Sequence, residues 1–342
     1  MVIAAATPTT FSPAWWVRGA HAQTLWGKFG RRTPLPPSGY IERWDTPDGD
    51  FLDLFRVPAP SAAVPRLLVL HGLEGTIHSH YARGILQRAA SAGWAADLLI
   101  FRGCGAELNR APRFYHSGET GDLSFVLERI TREHPDSPLL TVGYSLGGNV
   151  LLKWLGEQGS VIPSQLRAAV AVSVPYDLEA GASYISQGFS RVYERHFLRT
   201  LKDKATAKLA RFPGLFDRDA LAAVRTIVEF DDVVTSRIHG FAGAHDYYQR
   251  SSSLQFLPAI RVPTLLIGAY DDPFLPSDVL RRVHDIAVRN PDLTAAFSAH
   301  GGHVGFVSGV VPGRPVYFSE DRVMSYLSGH LDLQPDRKYD GG

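Results

Sequence analysis

The chain has 342 residues, of which 45% are hydrophobic and 20% are charged, an ordinary balance for a globular protein with a sizeable core. The 35 lysines and arginines against 34 aspartates and glutamates leave a formal charge of +1, which argues against the strongly basic surface of a nucleic-acid-binding protein. The single cysteine, Cys104, excludes an intrachain disulfide and a metal site built from paired cysteines.

The cellular setting is predicted from the same features. The first ten residues lack the basic segment of a secretory signal, and no run approaches the roughly 18 apolar residues of a membrane span. With the lone cysteine, this predicts a cytoplasmic protein without stable membrane insertion. Trp15 and Trp16, close to Phe11, leave peripheral contact with a lipid interface open, although such aromatic residues more often pack onto the domain.

The predicted elements begin with a hairpin, because residues 41–44 and 51–57 flank a Pro-Asp-Gly-Asp turn. Apolar runs without alternation then predict strands buried on both faces of a sheet, at residues 67–70, 95–101, 139–142, 168–174 and 264–267. Helical periodicity between several runs, as at residues 81–90 and 123–133, predicts a mostly parallel, doubly wound α/β sheet. Ligands bind beyond the carboxyl ends of the strands in such folds.

Residues 177–258 interrupt this alternation with a long stretch of helical composition, rich in basic and aromatic residues. We predict a helical cap inserted into one α/β domain that spans residues 1–342. Within the cap, the basic run at residues 202–208 predicts a solvated helix face. The acidic residues 229–232 predict helix caps or ion pairs.

The most specific motif is G-x-S-x-G at residues 143–147, between a predicted strand and a helix-like segment at residues 149–157. Glycines flank the serine of a nucleophile elbow because the turn is sharp and leaves no room for side chains near the strand and helix. The motif also occurs by chance in Gly-rich loops. Its strand-turn-helix setting favours Ser145 as a nucleophile.

A second motif, His-Gly-Leu-Glu-Gly at residues 71–75, directly follows a predicted strand. An acyl-transfer site needs donors for a developing oxyanion, and this loop and the residue after the nucleophile commonly supply two backbone N–H groups. The candidates are the N–H groups of Leu73 and Leu146. We predict that His71 shapes the loop and does not react.

An acid and a base are expected after the serine, in that order. The acid is Asp271 or Asp272, and Asp272 is favoured because Pro273 follows it. The base is His300 or His303, and two glycines before His303 favour it by permitting a tight loop.

Ser145, His303 and Asp272 predict a serine hydrolase in which imidazole activates the hydroxyl and carboxylate orients the imidazole. The expected partner is a small acyl ester, with no cofactor and no metal, because Glu74, His78 and His80 lack a recognised ligand spacing. An acyltransferase on the same residues and a non-catalytic binding protein are the alternatives. Four aromatic residues of the cap are candidates for the wall of an acyl pocket: Tyr184, Phe189, Phe197 and Phe241.

The sequence resembles the YheT-like branch of α/β-hydrolases and its eukaryotic relatives among the abhydrolase-domain proteins. The resemblance rests on motifs across most of the chain, at residues 47–50 (PDGD), 71–75 (HGLEG), 102–104 (RGC), 115–118 (YHSG), 143–148 (GYSLGG), 229–232 (EFDD), 271–273 (DDP) and 301–306 (GGHVGF). It implies an α/β-hydrolase fold and a carboxylic-ester hydrolase whose triad pattern falls on Ser145, Asp272 and His303. It implies no particular natural substrate.

Overall fold

The apolar runs of the sequence form the centre of an eight-stranded sheet. A computed structural model describes residues 10–59, 61 and 63–331. The strands of the sheet are β1 (Tyr40–Asp45), β2 (Phe51–Val57), β3 (Arg66–Leu70), β4 (Ala95–Ile100), β5 (Leu139–Tyr144), β6 (Leu166–Val172), β7 (Thr264–Ala269) and β8 (Leu293–Ser298). Their order across the sheet is β1-β2-β4-β3-β5-β6-β7-β8.

The predicted hairpin and the predicted parallel sheet are both confirmed. β1 pairs with β2 and β2 pairs with β4 in antiparallel fashion, whereas every pairing from β4 to β8 is parallel. Almost every residue from β3 to β7 is buried. Their sequences lack alternation because helices cover both faces of the sheet.

Twelve α-helices are found in the described part of the chain: α1 (Ala20–Phe29), α2 (His80–Ser91), α3 (Gly121–Glu133), α4 (Leu146–Gln158), α5 (Leu178–Ile185), α6 (Arg191–Arg211), α7 (Arg218–Ala223), α8 (Ile227–Phe230), α9 (Ser236–His239), α10 (Ala244–Ser251), α11 (Ser277–Ala287) and α12 (Phe318–Ser328). α2 packs on β4 and against α12, whereas α4 packs on β5 and β6 beside α3. The helices predicted from periodicity correspond to α2, α3 and α4.

β8 is missing from the predicted strands. It lies at the edge of the sheet, and most of its residues are half-exposed or exposed. Its sequence, LTAAFS, therefore contains no buried apolar run of the kind that marks the central strands. The strand forms because its backbone pairs with β7 over six residues, from Leu293 to Ser298.

Between β6 and β7 the chain forms α5 to α10, in agreement with the helical composition of residues 177–258. These helices bury their own apolar cluster, which includes Leu198, Ala205 and Leu209 of α6 and extends to Phe114 in the loop after β4. They therefore pack onto the loops at the carboxyl ends of the strands. The division into a domain and a cap stays a prediction.

The aromatic residues near the amino end pack onto the sheet domain, as predicted for Phe11 and Trp16. The Phe11 ring lies 5.5 Å from that of Phe306 and 5.4 Å from that of Phe318. Trp16 packs against a small apolar cluster, but Trp15 stays 57% exposed. None of the described helices is long and apolar enough to cross a membrane.

Candidate active site

Ser145 lies in the turn between β5 and α4 with φ 52° and ψ −121°. A non-glycine residue in this conformation is strained, and neighbouring contacts hold it there. Its N–H donates to the Val172 carbonyl at 2.8 Å. A Cβ atom at Gly143 would lie 2.5 Å from the Gly147 oxygen, and one at Gly147 would lie 2.5 Å from the His71 oxygen. The two glycines of the motif are therefore required by close backbone approach.

A chain of hydrogen bonds connects Ser145 to a histidine and an aspartate. The Nε2 atom of His303 lies 2.9 Å from Ser145 Oγ, and its Nδ1 atom lies 2.9 Å from Asp272 Oδ2. The side chains of His303 and Asp272 are 10% and 5% exposed. The Phe274 ring stacks on the His303 imidazole at 4.1 Å, which restricts rotation of the imidazole. The structure therefore brings the three predicted residues together.

The neighbouring aspartate and histidine take other partners. Asp271 accepts a hydrogen bond from the Gly302 N–H at 2.9 Å and lies 3.3 Å from Nδ1 of His300. The His300 side chain is 64% exposed. Asp271 thus secures the loop that carries the base, and the geometry favours Asp272 and His303 over this second pair.

Leu73 and Leu146, whose N–H groups are the predicted oxyanion donors, both line the cavity onto which Ser145 opens. On either side of Leu73, the N–H groups of Gly72 and Glu74 each donate to a tyrosine hydroxyl at 2.8 Å. Neither leucine N–H has a protein acceptor within the described ranges. A Cβ atom at Gly72 would lie 3.1 Å from the Cβ of Ser145, so the loop passes directly beside the serine.

The buried His71 ring supports the loop at residues 71–75, in line with its predicted structural role. Its Nδ1 lies 2.7 Å from the Gly72 oxygen, and its Nε2 accepts the Phe101 N–H at 3.1 Å. Burial lowers the pKa of His71 to about 4, because a charged imidazole would lose its hydration. The ring is therefore neutral at pH 7 and carries its proton on Nδ1.

Helix α1 supports the loop of the candidate base, a contact that none of the motifs in the sequence predicts. Thr24 Oγ1 accepts the His303 N–H at 2.9 Å, and Gln23 Oε1 accepts the Val307 N–H at 2.7 Å. A Cβ atom at Gly302 would lie 2.7 Å from Thr24 Oγ1, so glycine permits this contact. No local sequence signal indicates it, since about 280 residues separate the partners.

Ser145 and His303 open onto a largely apolar cavity of about 890 Å³. α1 lines one side, and α5 and α6 line another. Of the four predicted wall residues, Phe189 and Phe197 line the cavity, whereas Tyr184 and Phe241 do not. Phe241 instead packs on the ring of Tyr247 at 5.2 Å.

The basic run at residues 202–208 does not form a purely solvated face, so that prediction is wrong. Lys204 donates to Glu74 Oε1 at 2.8 Å, and Tyr115 Oη donates to the same oxygen at 2.9 Å. Lys208 is fully buried and donates to two backbone carbonyls of the loop after β4. Glu74 adopts φ 55°, and these contacts hold it in that conformation beside Leu73.

The acidic residues 229–232 divide into two roles. Glu229 completes a capping box at the start of α8, and Asp232 accepts an N–H at the start of α10, as predicted for this cluster. Asp231 instead faces the cavity, where it accepts hydrogen bonds from Thr235 at 2.6 Å and Tyr248 at 2.7 Å. Burial raises the pKa of Asp231 to about 6.

The side chains that resemble metal ligands in the sequence have other partners. Glu74 is paired with Lys204, and His78 Nδ1 lies 2.5 Å from a guanidinium nitrogen of Arg83. Burial lowers the pKa of His80 to about 3. Across the part of the chain that the structure describes, no cluster of three or more His, Cys, Asp or Glu residues has the geometry of a metal site.

A serine in a strand-turn-helix elbow, bonded to an imidazole and a carboxylate at the carboxyl edge of a parallel sheet, is the arrangement of an α/β-hydrolase. Residues 65–310 match the model of the family described as having the alpha/beta hydrolase fold. The chain belongs to this family, as the motifs predicted.

Similar proteins are named as esterases and phospholipases. The chain is 42% identical to the candidate esterase YheT of Escherichia coli (strain K12), over 95% of this chain and 94% of that protein. It is 30% identical to Phospholipase ABHD3 of Mus musculus, over 92% of this chain and 77% of that protein. The esterase Pf2001 of Pyrococcus furiosus has a TM-score of 0.55 at 15% identity, covering 85% of this chain and 92% of that one, and shows the fold alone.

Proposed function

We propose that the protein hydrolyses carboxylic esters, with Ser145 as nucleophile, His303 as general base and Asp272 as the carboxylate that orients His303. The observation that carries this proposal is the pair of 2.9 Å distances from the imidazole to Ser145 Oγ and to Asp272 Oδ2. A serine hydroxyl attacks an ester only when a base takes its proton, and a base at this distance can do so. The esterase name of the 42% identical relative supports the same class of reaction.

In the first half-reaction, Ser145 Oγ bonds to the ester carbonyl carbon while its proton passes to Nε2 of His303. Negative charge develops on the carbonyl oxygen, and the N–H groups of Leu73 and Leu146 stabilise it. The carbon–oxygen bond to the alcohol then breaks, and His303 returns the proton to that oxygen. The alcohol leaves, and the acyl group stays on Ser145.

In the second half-reaction, His303 takes a proton from water as the water oxygen attacks the acyl-enzyme carbonyl. The serine oxygen leaves with a proton from the imidazolium, which releases the carboxylic acid and restores the resting state. Asp272 stabilises the imidazolium in both halves. Each step uses groups of this chain and water.

The cavity supports a small-molecule acyl ester as the substrate class. Its volume of about 890 Å³ falls in the range of small-molecule sites, and aromatic residues such as Phe189 and Phe197 can contact an acyl chain. We propose that residues 177–258 act as the cap of a single catalytic domain, since α5 and α6 line the cavity. The cytoplasmic location and the lack of a nucleic-acid partner stay predictions.

The test compares hydrolysis of p-nitrophenyl esters of several acyl lengths by the wild type and Ser145→Ala. We expect kcat/KM to fall by about 10⁴-fold or more. Ser160→Ala is the matched control. Ser160 is exposed and lies between the end of α4 and the start of β6, near the amino ends of the strands, whereas Ser145 lies at their carboxyl ends. Unchanged turnover by Ser145→Ala would contradict the proposal. Ester products formed with an added alcohol acceptor would indicate acyl transfer instead of hydrolysis.

A further inference from the structure

The mouth of the cavity presents apolar side chains to solvent. Phe29 of α1, Phe189 in the turn before α6 and Val192 of α6 all line the cavity, yet they are 74%, 52% and 50% exposed. Together these three residues are termed the apolar rim. A single exposed apolar side chain is common on a protein surface and needs no explanation. Several grouped around the entrance of a cavity indicate an interaction surface.

The two segments that carry the apolar rim are in contact. Lys28 Nζ lies 2.9 Å from His196 Nε2, and His21 Nδ1 lies 3.1 Å from Tyr193 Oη. The His21 ring also lies 4.5 Å from that of Phe189. α1 and the amino-terminal half of α6 therefore form one continuous face at the mouth.

α6 adds a row of positive charge to this face. Arg191, Arg195 and Arg199 are exposed and follow one another at four-residue spacing, which places them on one side of the helix beside Val192. Within the ranges that the structure covers, none of these three arginines forms a salt bridge. Because the whole chain carries a net charge of only +1, this arginine row is a local concentration of unpaired cations.

We propose that the mouth of the cavity docks onto an anionic lipid surface. The apolar rim enters the boundary between head groups and acyl chains, and the arginine row contacts lipid phosphates. A lipid surface matches both features, because an acidic protein would complement the arginines but would not require aromatic side chains around a largely apolar cavity. The proposal does not rest on hydrolysis at Ser145, since binding of the protein to a lipid surface requires no reaction at the serine.

The experiment measures binding of the full chain to lipid vesicles by co-sedimentation. Ser145→Ala is used throughout so that the lipids are not hydrolysed. Vesicles of equal phosphatidylglycerol and phosphatidylcholine are compared with vesicles of phosphatidylcholine alone at about 0.1 M salt, where exposed charges still interact within a Debye length. We expect binding to the anionic vesicles to be at least about tenfold tighter.

Two variants separate the two features of the face. Reversal of the arginine row (R191E/R195E/R199E) is expected to weaken binding to anionic vesicles at least about tenfold. Removal of two rim aromatics (F29S/F189S) is expected to weaken it at least about fivefold, because less apolar area is buried in the lipid. Thermal unfolding of each variant establishes that it is folded.

The control is V288S/R289E. Both residues are exposed and lie between α11 and the start of β8, near the amino ends of the strands, whereas the cavity lies at the carboxyl ends. This control is expected to bind as the parent does. Equal binding to both vesicle types, or weakening by the control as large as that by the arginine variant, would overturn the proposal.

Soluble polyglutamate distinguishes an acidic protein partner from a lipid surface. Tighter binding to polyglutamate than to anionic vesicles, insensitive to F29S/F189S, would overturn the lipid proposal in favour of an acidic protein. Weaker binding to polyglutamate supports it. R191E/R195E/R199E changes side chains that do not line the cavity, so it is expected to keep its hydrolysis of water-soluble p-nitrophenyl esters in the presence of Ser145. Failure of lipid docking is therefore distinguishable from failure of the proposed esterase activity.

Discussion

The two walls of the cavity are built by different means. On the sheet wall, Ser145 directly follows β5 and Asp272 lies in the turn after β7. Glycines beside Ser145 permit close contacts between backbone segments. On the helical wall, α5 to α10 are held to the sheet domain by side chains that reach far along the sequence, as Lys204 reaches Glu74. The sheet wall positions the candidate reacting groups, and the helical wall contacts the loop that carries a candidate oxyanion donor.

The largest effect is expected on the sheet wall, at Asp272. Asp272→Asn should lower kcat for p-nitrophenyl esters by about 10³–10⁴-fold, because the amide no longer stabilises the imidazolium and favours the wrong tautomer of His303. Asp271→Asn is the matched control, since Asp271 contacts a backbone N–H of the same loop. Its kcat is expected to fall less than about tenfold. Equal losses in the two variants would contradict the assignment of Asp272.

The next effect concerns buried histidines in both walls. Burial lowers the pKa of His71 to about 4, and those of His116, in the loop after β4, and of His239, at the end of α9, to about 3. The unfolded chain, with pKa values near 6.5, binds protons first as pH falls. The free energy of unfolding should therefore be highest above about pH 6.5 and should decrease as the pH falls towards 4. His71 alone contributes a decrease on the order of 3 kcal/mol.

Urea unfolding at several pH values checks this expectation. His116→Asn/His239→Asn should show a shallower dependence between about pH 6.5 and pH 4, because two depressed pKa values are removed. His245→Asn is the control, since the His245 side chain is 73% exposed. A pH-independent free energy of unfolding in the wild type would contradict the neutral, buried state of these rings.

A third effect tests the close packing of the elbow. Gly147→Ala should lower the free energy of unfolding by about 1–3 kcal/mol, because the added methyl group overlaps backbone atoms of residues 70 and 71. Chemical denaturation measures the change. Gly329→Ala is the control, because a Cβ atom there meets ordinary contacts of 3.5 Å or more. A loss at Gly147 no larger than at Gly329 would show that the elbow is less tightly packed.

The smallest effect is expected from the helical wall. Lys204→Met should lower kcat about fivefold with little change in KM, because Glu74 loses a charged partner and the adjacent Leu73 N–H is less well placed. Lys204→Arg should restore most of the rate. Lys202→Met is the control on the same helix, since Lys202 donates to backbone carbonyls at the end of α7, away from Glu74. A change confined to KM would assign Lys204 to substrate binding.

The sequence predicts the sheet wall well because its signals are local. Buried strands lack alternation, and the elbow needs glycines at two fixed positions beside Ser145, so both leave a mark within a few residues. The same is true of His303, whose loop begins with two glycines. These parts of the fold and the candidate site follow from short-range geometry.

The remaining contacts carry no local mark. Thr24 supports the loop of His303 from the other end of the chain, and Lys204 and Lys208 turn inward although their spacing resembles a solvated face. Which side of α6 faces the sheet domain depends on packing against the loop after β4, and composition does not encode that choice. β8 is not predicted, because it is stabilised by backbone pairing with β7 and not by burial of an apolar run.

The most direct test of the account is labelling of the purified protein with a fluorophosphonate, followed by mapping of the labelled peptide by mass spectrometry. A fluorophosphonate reacts with a serine whose hydroxyl a neighbouring base has activated. We expect one labelled residue, Ser145, with labelling abolished in Ser145→Ala and strongly slowed in His303→Asn. Labelling at another serine, or an unlabelled protein that is correctly folded, would contradict the assignment of Ser145 as nucleophile.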